Sequence, residues 1–137
     1  MIGILVLSHG PFGEDLLKTA CGIMHETEKI AALNLSRRLD FETLRRNVSD
    51  TIVALNATDG TLVLIDAYGG TSYNTTLPLM STHRISMVTG VNLPMVLSAL
   101  TNRQRMSLEA LAKKVSEDAK KTISVLAGPG VAAQERS

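Results

Sequence analysis

Residues 1–10 of this 137-residue chain, MIGILVLSHG, decide its fold. The apolar run 2–7 is nearly continuous, which is typical of a parallel strand that is covered on both faces. A turn rich in glycine and proline follows at residues 10–13, and apolar residues recur at helical spacing behind it. In an open α/β sheet, side chains at the carboxyl ends of the strands face the crevice where ligands bind. We therefore predict that His9, as the last residue of the first strand, takes part in chemistry.

The bulk composition predicts one soluble, cytoplasmic domain. A content of 45% hydrophobic and 20% charged residues is ordinary for a globular protein, and no apolar run approaches the roughly 20 residues of a membrane span. The amino terminus lacks the basic region and cleavage site of a signal peptide. A formal net charge of +1, with two Phe, two Tyr and no Trp, argues against nucleic-acid binding.

Several classes of site are absent from the sequence. It contains no CxxC, no HExxH and no cluster of His, Cys and carboxylates at metal-ligand spacing, so we expect no metal. The nucleotide fingerprints GxGxxG and GxxxxGK[ST] are also missing, and we expect no cofactor. The single cysteine, Cys21, lies on the apolar face of the first predicted helix, which favours a buried thiol over a nucleophile.

Further apolar runs at residues 29–35, 61–65 and 84–89 predict three more strands, each separated by a helical pattern. Asp40 and Ser107 are candidate N-caps of two of these helices. Alternation of strands and helices indicates an α/β protein with an open, doubly wound, mostly parallel sheet and helices on both faces. We predict the strand order 2-1-3-4. One domain would span residues 1–127, followed by a flexible tail at 128–137.

The third predicted strand ends in Asp66, as the first ends in His9. In the order 2-1-3-4 these strands are neighbours and the switch point falls between them, so the two side chains should meet. The paired glycines that follow let backbone N–H groups approach an anion, and Thr71 or Ser72 is a candidate cap of the next helix. A helix amino terminus that opens from such a loop is suited to phosphate.

These residues favour phosphoryl transfer. A neutral imidazole is a good nucleophile near neutral pH, and a carboxylate bonded to one ring nitrogen leaves the other free to attack. Asp66 would serve His9 in this way and stabilise the ring as it becomes cationic, while N–H donors of the loop hold the phosphoryl oxygens. This scheme requires no metal.

Three segments carry a family resemblance: GILVLSHG at 3–10, DAYGGTSYN at 66–74 and GVNLPM at 90–95. They resemble, in order and spacing, the motifs of the IIA domain of the mannose-family sugar phosphotransferase system (the PTS EIIA type-4 domain of the mannose, fructose and sorbose systems). The resemblance implies a histidine phosphocarrier that accepts phosphate from HPr and passes it to a histidine of a IIB protein. By the same match the phosphorylated residue is His9, Asp66 orients it, Gly70, Thr71 and Ser72 surround the phosphoryl group, and Asn92 and Pro94 lie at the rim.

The resemblance also implies a homodimer in which a strand near the carboxyl end is exchanged between subunits. Residues 122–126 are β-branched enough to form such an antiparallel fifth strand or to continue the last helix, and both alternatives stay open. Three positions depart from the family pattern. Ser8 stands where the family usually has Thr, and Thr71-Ser72 stands where it usually has Ser-Pro. Because the sequence ends without a IIB segment, we expect a separate partner.

Other functions remain open at this point. The same phosphohistidine would serve a regulatory sensor of phosphorylation state or the phosphodonor of a dihydroxyacetone kinase. A less favoured alternative is a tetrapyrrole metal chelatase, because such enzymes also open with an apolar strand that ends in His-Gly. His25 and His83 are expected to be structural, the first at the end of a helix and the second in a loop.

Overall fold

A computed structural model describes residues 1–36 and 38–129 of the chain. Four parallel strands form one sheet in the order β2-β1-β3-β4, which confirms the predicted order. The strands are β1 (Gly3–Ser8), β2 (Ile30–Asn34), β3 (Thr61–Ile65) and β4 (Ile85–Thr89). One detail of the prediction was wrong: β1 ends at Ser8, so His9 is the first residue after the strand and not its last.

In the described part of the chain, five α-helices connect and follow the strands. They are α1 (Phe12–Met24), α2 (Phe41–Leu55), α3 (Thr71–Thr76), α4 (Leu93–Asn102) and α5 (Leu108–Lys121), with a short 3-10 helix at Leu77–Ser81 after α3. Both predicted caps are confirmed, because Asp40 accepts from Thr43 N at 2.8 Å and Ser107 accepts from Ala110 N at 3.2 Å. Pro78 lies at the start of the 3-10 helix, which explains why α3 is short.

The two central strands, β1 and β3, are buried on both faces, as their unbroken apolar runs predict, whereas the edge strands β2 and β4 are mostly half-buried. Successive residues of β1 enter opposite cores: Ile4 and Val6 pack with residues of α1, α4 and α5, whereas Leu5 and Leu7 pack with residues of α2 and the 3-10 helix. All four of these side chains are fully buried. Each contributes about 1.5–3 kcal/mol of hydrophobic stabilisation relative to an exposed side chain.

The register of the strands brings the candidate residues to one edge. Leu7 of β1 pairs with Ile65 of β3, and Asp66 N donates to Leu7 O at 3.2 Å just beyond that pair. The residues that follow β1 and β3 therefore emerge side by side at the carboxyl edge of the sheet.

Residues 122–126 do not continue helix α5. Helix α5 ends at Lys121 with Thr122 as its C-cap, and residues 123–128 have no regular secondary structure. Ile123, Val125 and Leu126 are exposed in the single chain. The helical alternative is therefore wrong, and the exchanged strand stays a prediction because it requires a second copy. Most of the expected tail, residues 130–137, lies outside the described residues.

Candidate functional site

The turn that presents His9 is built by its neighbours. Gly10 has φ +80°, a conformation that favours glycine, and it lets the chain reverse from β1 into α1. The fully buried hydroxyl of Ser8 accepts from Gly13 N at 2.8 Å and donates to Gly10 O at 3.0 Å. Asn34, at the end of β2, accepts from Gly10 N at 2.8 Å through Oδ1. His9 itself is exposed on top of this fixed turn.

Asp66 lies directly beside His9, as the strand order predicts. Its Oδ2 accepts from the backbone N–H of His9 at 2.8 Å, and its Oδ1 accepts from Ala67 N at 2.9 Å. The sequence led us to expect the contact at a ring nitrogen of His9. The hydrogen bond that joins the two residues instead uses the main chain, because His9 begins the loop and its N–H is no longer used by the sheet ladder.

Five of the seven predicted site residues line one small cavity. It has a volume of about 200 Å³ and is bounded by His9, Asp66, Gly70, Thr71 and Ser72, together with Ala67. The cavity holds an imidazole, a carboxylate and hydroxyl groups at the carboxyl edge of a parallel sheet. A group of phosphoryl size would lie within reach of all three.

The glycine loop enters helix α3 in a different way from the one we expected. Gly70 is the N-cap residue and Thr71 is the first helical residue, so neither Thr71 nor Ser72 caps the helix with its side chain. Gly69 has φ +78°, and Asn74 braces the turn by donating from Nδ2 to Gly69 O at 3.3 Å. The hydroxyls of Thr71 and Ser72 therefore remain available for other contacts.

Ser72 lines the cavity with a buried hydroxyl. The residue is 1% exposed, and its Oγ has no hydrogen-bond partner among the described residues. A buried hydroxyl without a partner costs free energy unless a ligand or an ordered water satisfies it. The hydroxyls of Thr75 and Thr76 in the same helix share this feature, but of the three residues Ser72 alone lines the cavity beside His9. The sequence indicated Ser72 as a phosphate contact but gave no signal that its hydroxyl is buried and unpartnered.

Asn92 and Pro94 lie at the start of helix α4 and do not line this cavity. Asn92 caps α4 by accepting from Met95 N at 2.9 Å, and Pro94 lies in the first turn. Neither residue is among those that line the cavity beside His9. Their role at the rim of the site stays a prediction.

Most of the chain matches the model of a known protein family. Residues 3–116 match the model of the family EIIA-man, described as PTS system fructose IIA component. This chain belongs to that family. The matched segment includes every one of the predicted site residues, so His9 and Asp66 occupy the region that defines an EIIA-man domain.

Individual relatives agree with membership of the EIIA-man family. The chain is 25% identical over 126 residues to the PTS system fructose-specific EIIA component of Bacillus subtilis, covering 91% of this chain and 86% of that protein. It is 30% identical over 103 residues, or 74% of this chain, to the PTS system mannose-specific EIIAB component of Escherichia coli, and it spans about a third of that protein (32%). The chain is accordingly a component of the sugar phosphotransferase system, with a role in phosphoryl transfer.

Solved structures show the same fold for this EIIA-man chain. Phosphotransferase system component EIIA from Streptococcus agalactiae superposes with a TM-score of 0.82 at 24% identity, over 91% of this chain and 97% of that one. A mannose/sorbose specific IIA subunit from Enterococcus faecalis gives a TM-score of 0.82 at 22% identity, over 96% and 98% of the two chains.

The EIIA-man chain has a second cavity at His9 that the sequence reading missed. It measures about 370 Å³ and is lined by His9, Gly10, Asn34, Ser36 and Arg38. Asn34 could have been predicted from the sequence. It is the last residue of β2, which lies beside β1, and side chains at the carboxyl ends of the strands face the site, as His9 and Asp66 do. Arg38 gave no such signal, since it lies in the loop between β2 and α2.

The remaining titratable candidates lie elsewhere. His25 is the C-cap of α1 in a left-handed conformation, and His83 bonds Ser49 Oγ at 3.0 Å and Thr82 Oγ1 at 2.9 Å. Cys21 is half-buried, and burial raises the pKa of its thiol, as expected for an inert side chain. Within residues 1–36 and 38–129, no group of three or more His, Cys, Asp or Glu is placed to hold a metal ion. In the same described ranges no helix has the length and apolar character needed to cross a membrane.

Proposed function

We propose that this protein is a histidine phosphocarrier in which His9 accepts a phosphoryl group from phospho-HPr and passes it to a histidine of a IIB partner. The observation that carries the proposal is the cavity of about 200 Å³ in which exposed His9, the Asp66 carboxylate and the unpartnered Ser72 hydroxyl meet. Membership of the EIIA-man family supports it. The same membership argues against the alternative of a tetrapyrrole metal chelatase.

The chemistry follows from the groups in the cavity. A ring nitrogen of neutral His9 attacks phosphorus, the bond from phosphorus to the donor histidine breaks, and the donor nitrogen leaves with the bonding electron pair. The ring of His9 becomes cationic, and the Asp66 carboxylate stabilises that charge. The Ser72 hydroxyl and the backbone N–H groups of Thr71 and Ser72, in the first turn of α3, donate to the phosphoryl oxygens. The reverse sequence delivers the group to IIB.

Two further predictions belong to this proposal. The protein forms a homodimer through exchange of residues 122–126, whose apolar side chains are exposed in the single chain. The relatives are a fructose-specific EIIA component and a mannose-specific EIIAB component, so the IIB partner would belong to a transporter of this sugar class. A regulatory sensor or a dihydroxyacetone-kinase phosphodonor would use the same phosphohistidine and differ only in the recipient.

The test is an intact-mass assay with phosphoenolpyruvate, enzyme I and HPr, omitting each component in turn. We expect one phosphoryl group that requires HPr, is lost in mild acid and maps to His9. The control variant His9→Ala should retain the wild-type circular dichroism spectrum and gain no mass, because His9 is exposed outside the core. Normal phosphorylation of His9→Ala, or none of the wild type beside an active control acceptor, would overturn the proposal.

A further inference from the structure

His9 separates two cavities, and the proposed function uses only one of them. The smaller cavity contains Asp66 and Ser72, whereas the larger one, about 370 Å³, lies on the side of the loop between β2 and α2 and contains Arg38. Because His9 lines both cavities, a phosphoryl group on its ring would lie near side chains of both.

Hydrogen bonds hold the segment that carries Arg38 against the turn that follows His9. Asn34 Oδ1 accepts from Gly10 N at 2.8 Å, which ties the end of β2 to the residue after His9. Arg38 N donates to Ser36 Oγ at 3.2 Å, and Leu39 N donates to Ser36 O at 3.3 Å. Side-chain contacts of this kind fix the backbone of a loop. The backbone of Arg38 is therefore held at the edge of the cavity, and its exposed side chain is left to move.

The negative charges expected at phosphorylated His9 would be stabilised by a nearby cation. A phosphoryl group brings roughly two negative charges at neutral pH, and it would lie next to the Asp66 carboxylate. Apart from His9 itself, Arg38 is the one basic side chain among the lining residues of either cavity that belong to the described ranges 1–36 and 38–129. Within the part of the chain that the structure describes, none of the ion pairs includes Arg38, so its guanidinium is not committed to a carboxylate.

We propose that Arg38 binds the phosphoryl group on His9 from the larger cavity, while Ser72 donates to it from the smaller one. A guanidinium offers two parallel N–H donors to phosphate oxygens, and charge-assisted bonds of this type are the stronger kind. Arg38 stabilises the phosphohistidine and the charge of the transferring group, and thereby sets how far transfer to His9 proceeds. This inference rests on the proposed phosphorylation of His9.

The experiment uses a small phosphoryl donor, so that docking of a partner protein plays no part. With phosphoramidate, the phosphorus–nitrogen bond of the donor breaks, a bond from phosphorus to His9 forms, and the leaving nitrogen departs as ammonia after taking up a proton. Phosphorus NMR follows the phosphohistidine in the wild type, Arg38→Gln, Arg38→Lys and the matched control Arg46→Gln. Arg46 lies on α2, is exposed and borders neither cavity at His9.

We expect Arg38→Gln to react about tenfold more slowly, because a hydrogen bond to a charged group is lost. Arg38→Lys should lie between Arg38→Gln and the wild type, since lysine keeps the charge but not the paired donors, and Arg46→Gln should match the wild type. The equilibrium between phospho-HPr and the protein should shift toward phospho-HPr in Arg38→Gln by a similar factor.

The outcomes separate this inference from the proposed function. Phosphoramidate rates that are equal in Arg38→Gln and the wild type overturn the role of Arg38, and a defect seen with HPr alone would overturn it in favour of a contact with the partner surface. A wild type that phosphoramidate modifies and phospho-HPr does not would refute the proposed function, while the phosphoramidate rates still decide the role of Arg38. Wild-type His9 that phosphoramidate leaves unmodified also overturns the inference.

Discussion

The backbone N–H of His9 donates to Oδ2 of Asp66 at 2.8 Å, so the ends of two neighbouring strands are joined through the main chain. The second carboxylate oxygen accepts from Ala67 N at 2.9 Å. Each oxygen has a further lone pair, and the carboxylate therefore retains acceptor capacity for the His9 ring. In the proposed mechanism Asp66 has two separable tasks: it fixes the backbone of His9, and its charge stabilises the ring that becomes cationic on phosphorylation.

Replacement of Asp66 by asparagine tests these tasks together. Asp66→Asn keeps one acceptor oxygen but places an NH2 group against a backbone N–H, and it removes the negative charge. We expect phosphorylation of His9 to slow by about tenfold or more and the free energy of unfolding to fall by about 1–2 kcal/mol. Rapid-quench phosphorylation and urea denaturation measure the two effects. An unchanged rate would mean that another group orients and stabilises the ring of His9.

Removal of the Ser72 hydroxyl should affect function and stability in opposite directions. Because this buried hydroxyl has no partner in the described part of the chain, Ser72→Ala removes an unsatisfied polar group, and the free energy of unfolding should stay equal or rise. Phosphorylation of His9 should slow by about tenfold, since one donor to the phosphoryl group is lost.

The matched control for Ser72 is Thr75→Val. Thr75 is buried in the same helix, its hydroxyl also has no partner within residues 1–36 and 38–129, and it does not line the cavity at His9. Its replacement should leave the phosphorylation rate at the wild-type value. Equal rate losses in both variants would show that the effect comes from disturbance of α3 and not from a contact with the phosphoryl group.

The sequence was sufficient for the sheet and for the meeting of His9 with Asp66, because apolar runs of strand length are specific and parallel order fixes which ends are neighbours. It was insufficient for the loops. The cap of α3 proved to be Gly70 and not a hydroxyl residue, and the bond of Asp66 proved to reach the main chain of His9. Such details depend on backbone angles of loop residues, which residue type constrains only weakly. Arg38 was invisible for the same reason, since a charged residue in a polar loop is most often only solvated.

The Ser8 hydroxyl stabilises the turn at His9, and its removal should lower the stability of the protein. Its fully buried hydroxyl is the acceptor for the buried N–H of Gly13, so Ser8→Ala leaves that donor without a partner. We expect the free energy of unfolding to fall by about 1–3 kcal/mol, measured by urea denaturation, and phosphorylation to slow as the turn loosens. Ser8→Thr retains the hydroxyl and should lose much less. If Ser8→Ala and the wild type unfold at the same urea concentration, the hydroxyl does not support the turn.

A pH-dependent contribution to stability lies between α4 and α5. The Ser98 hydroxyl donates to Asp118 Oδ2 at 2.7 Å, and this bond, followed by Lys114, holds the pKa of the Asp118 carboxyl below its usual range. Because the pKa is lower in the folded state, the stabilisation is complete above the unfolded value of about 3.9 and is lost as the pH falls through the folded value. Ser98→Ala should therefore be less stable than the wild type at pH 7, with a difference that shrinks below about pH 4. The control is Thr101→Ala, because the Thr101 hydroxyl donates to Leu97 O on the same helix. The loss of stability in Thr101→Ala should therefore not change with pH.

Urea denaturation of the wild type and the two variants from pH 7 to pH 3 measures the free energy of unfolding of each. A Ser98→Ala difference that is constant over that range would contradict the coupling to Asp118.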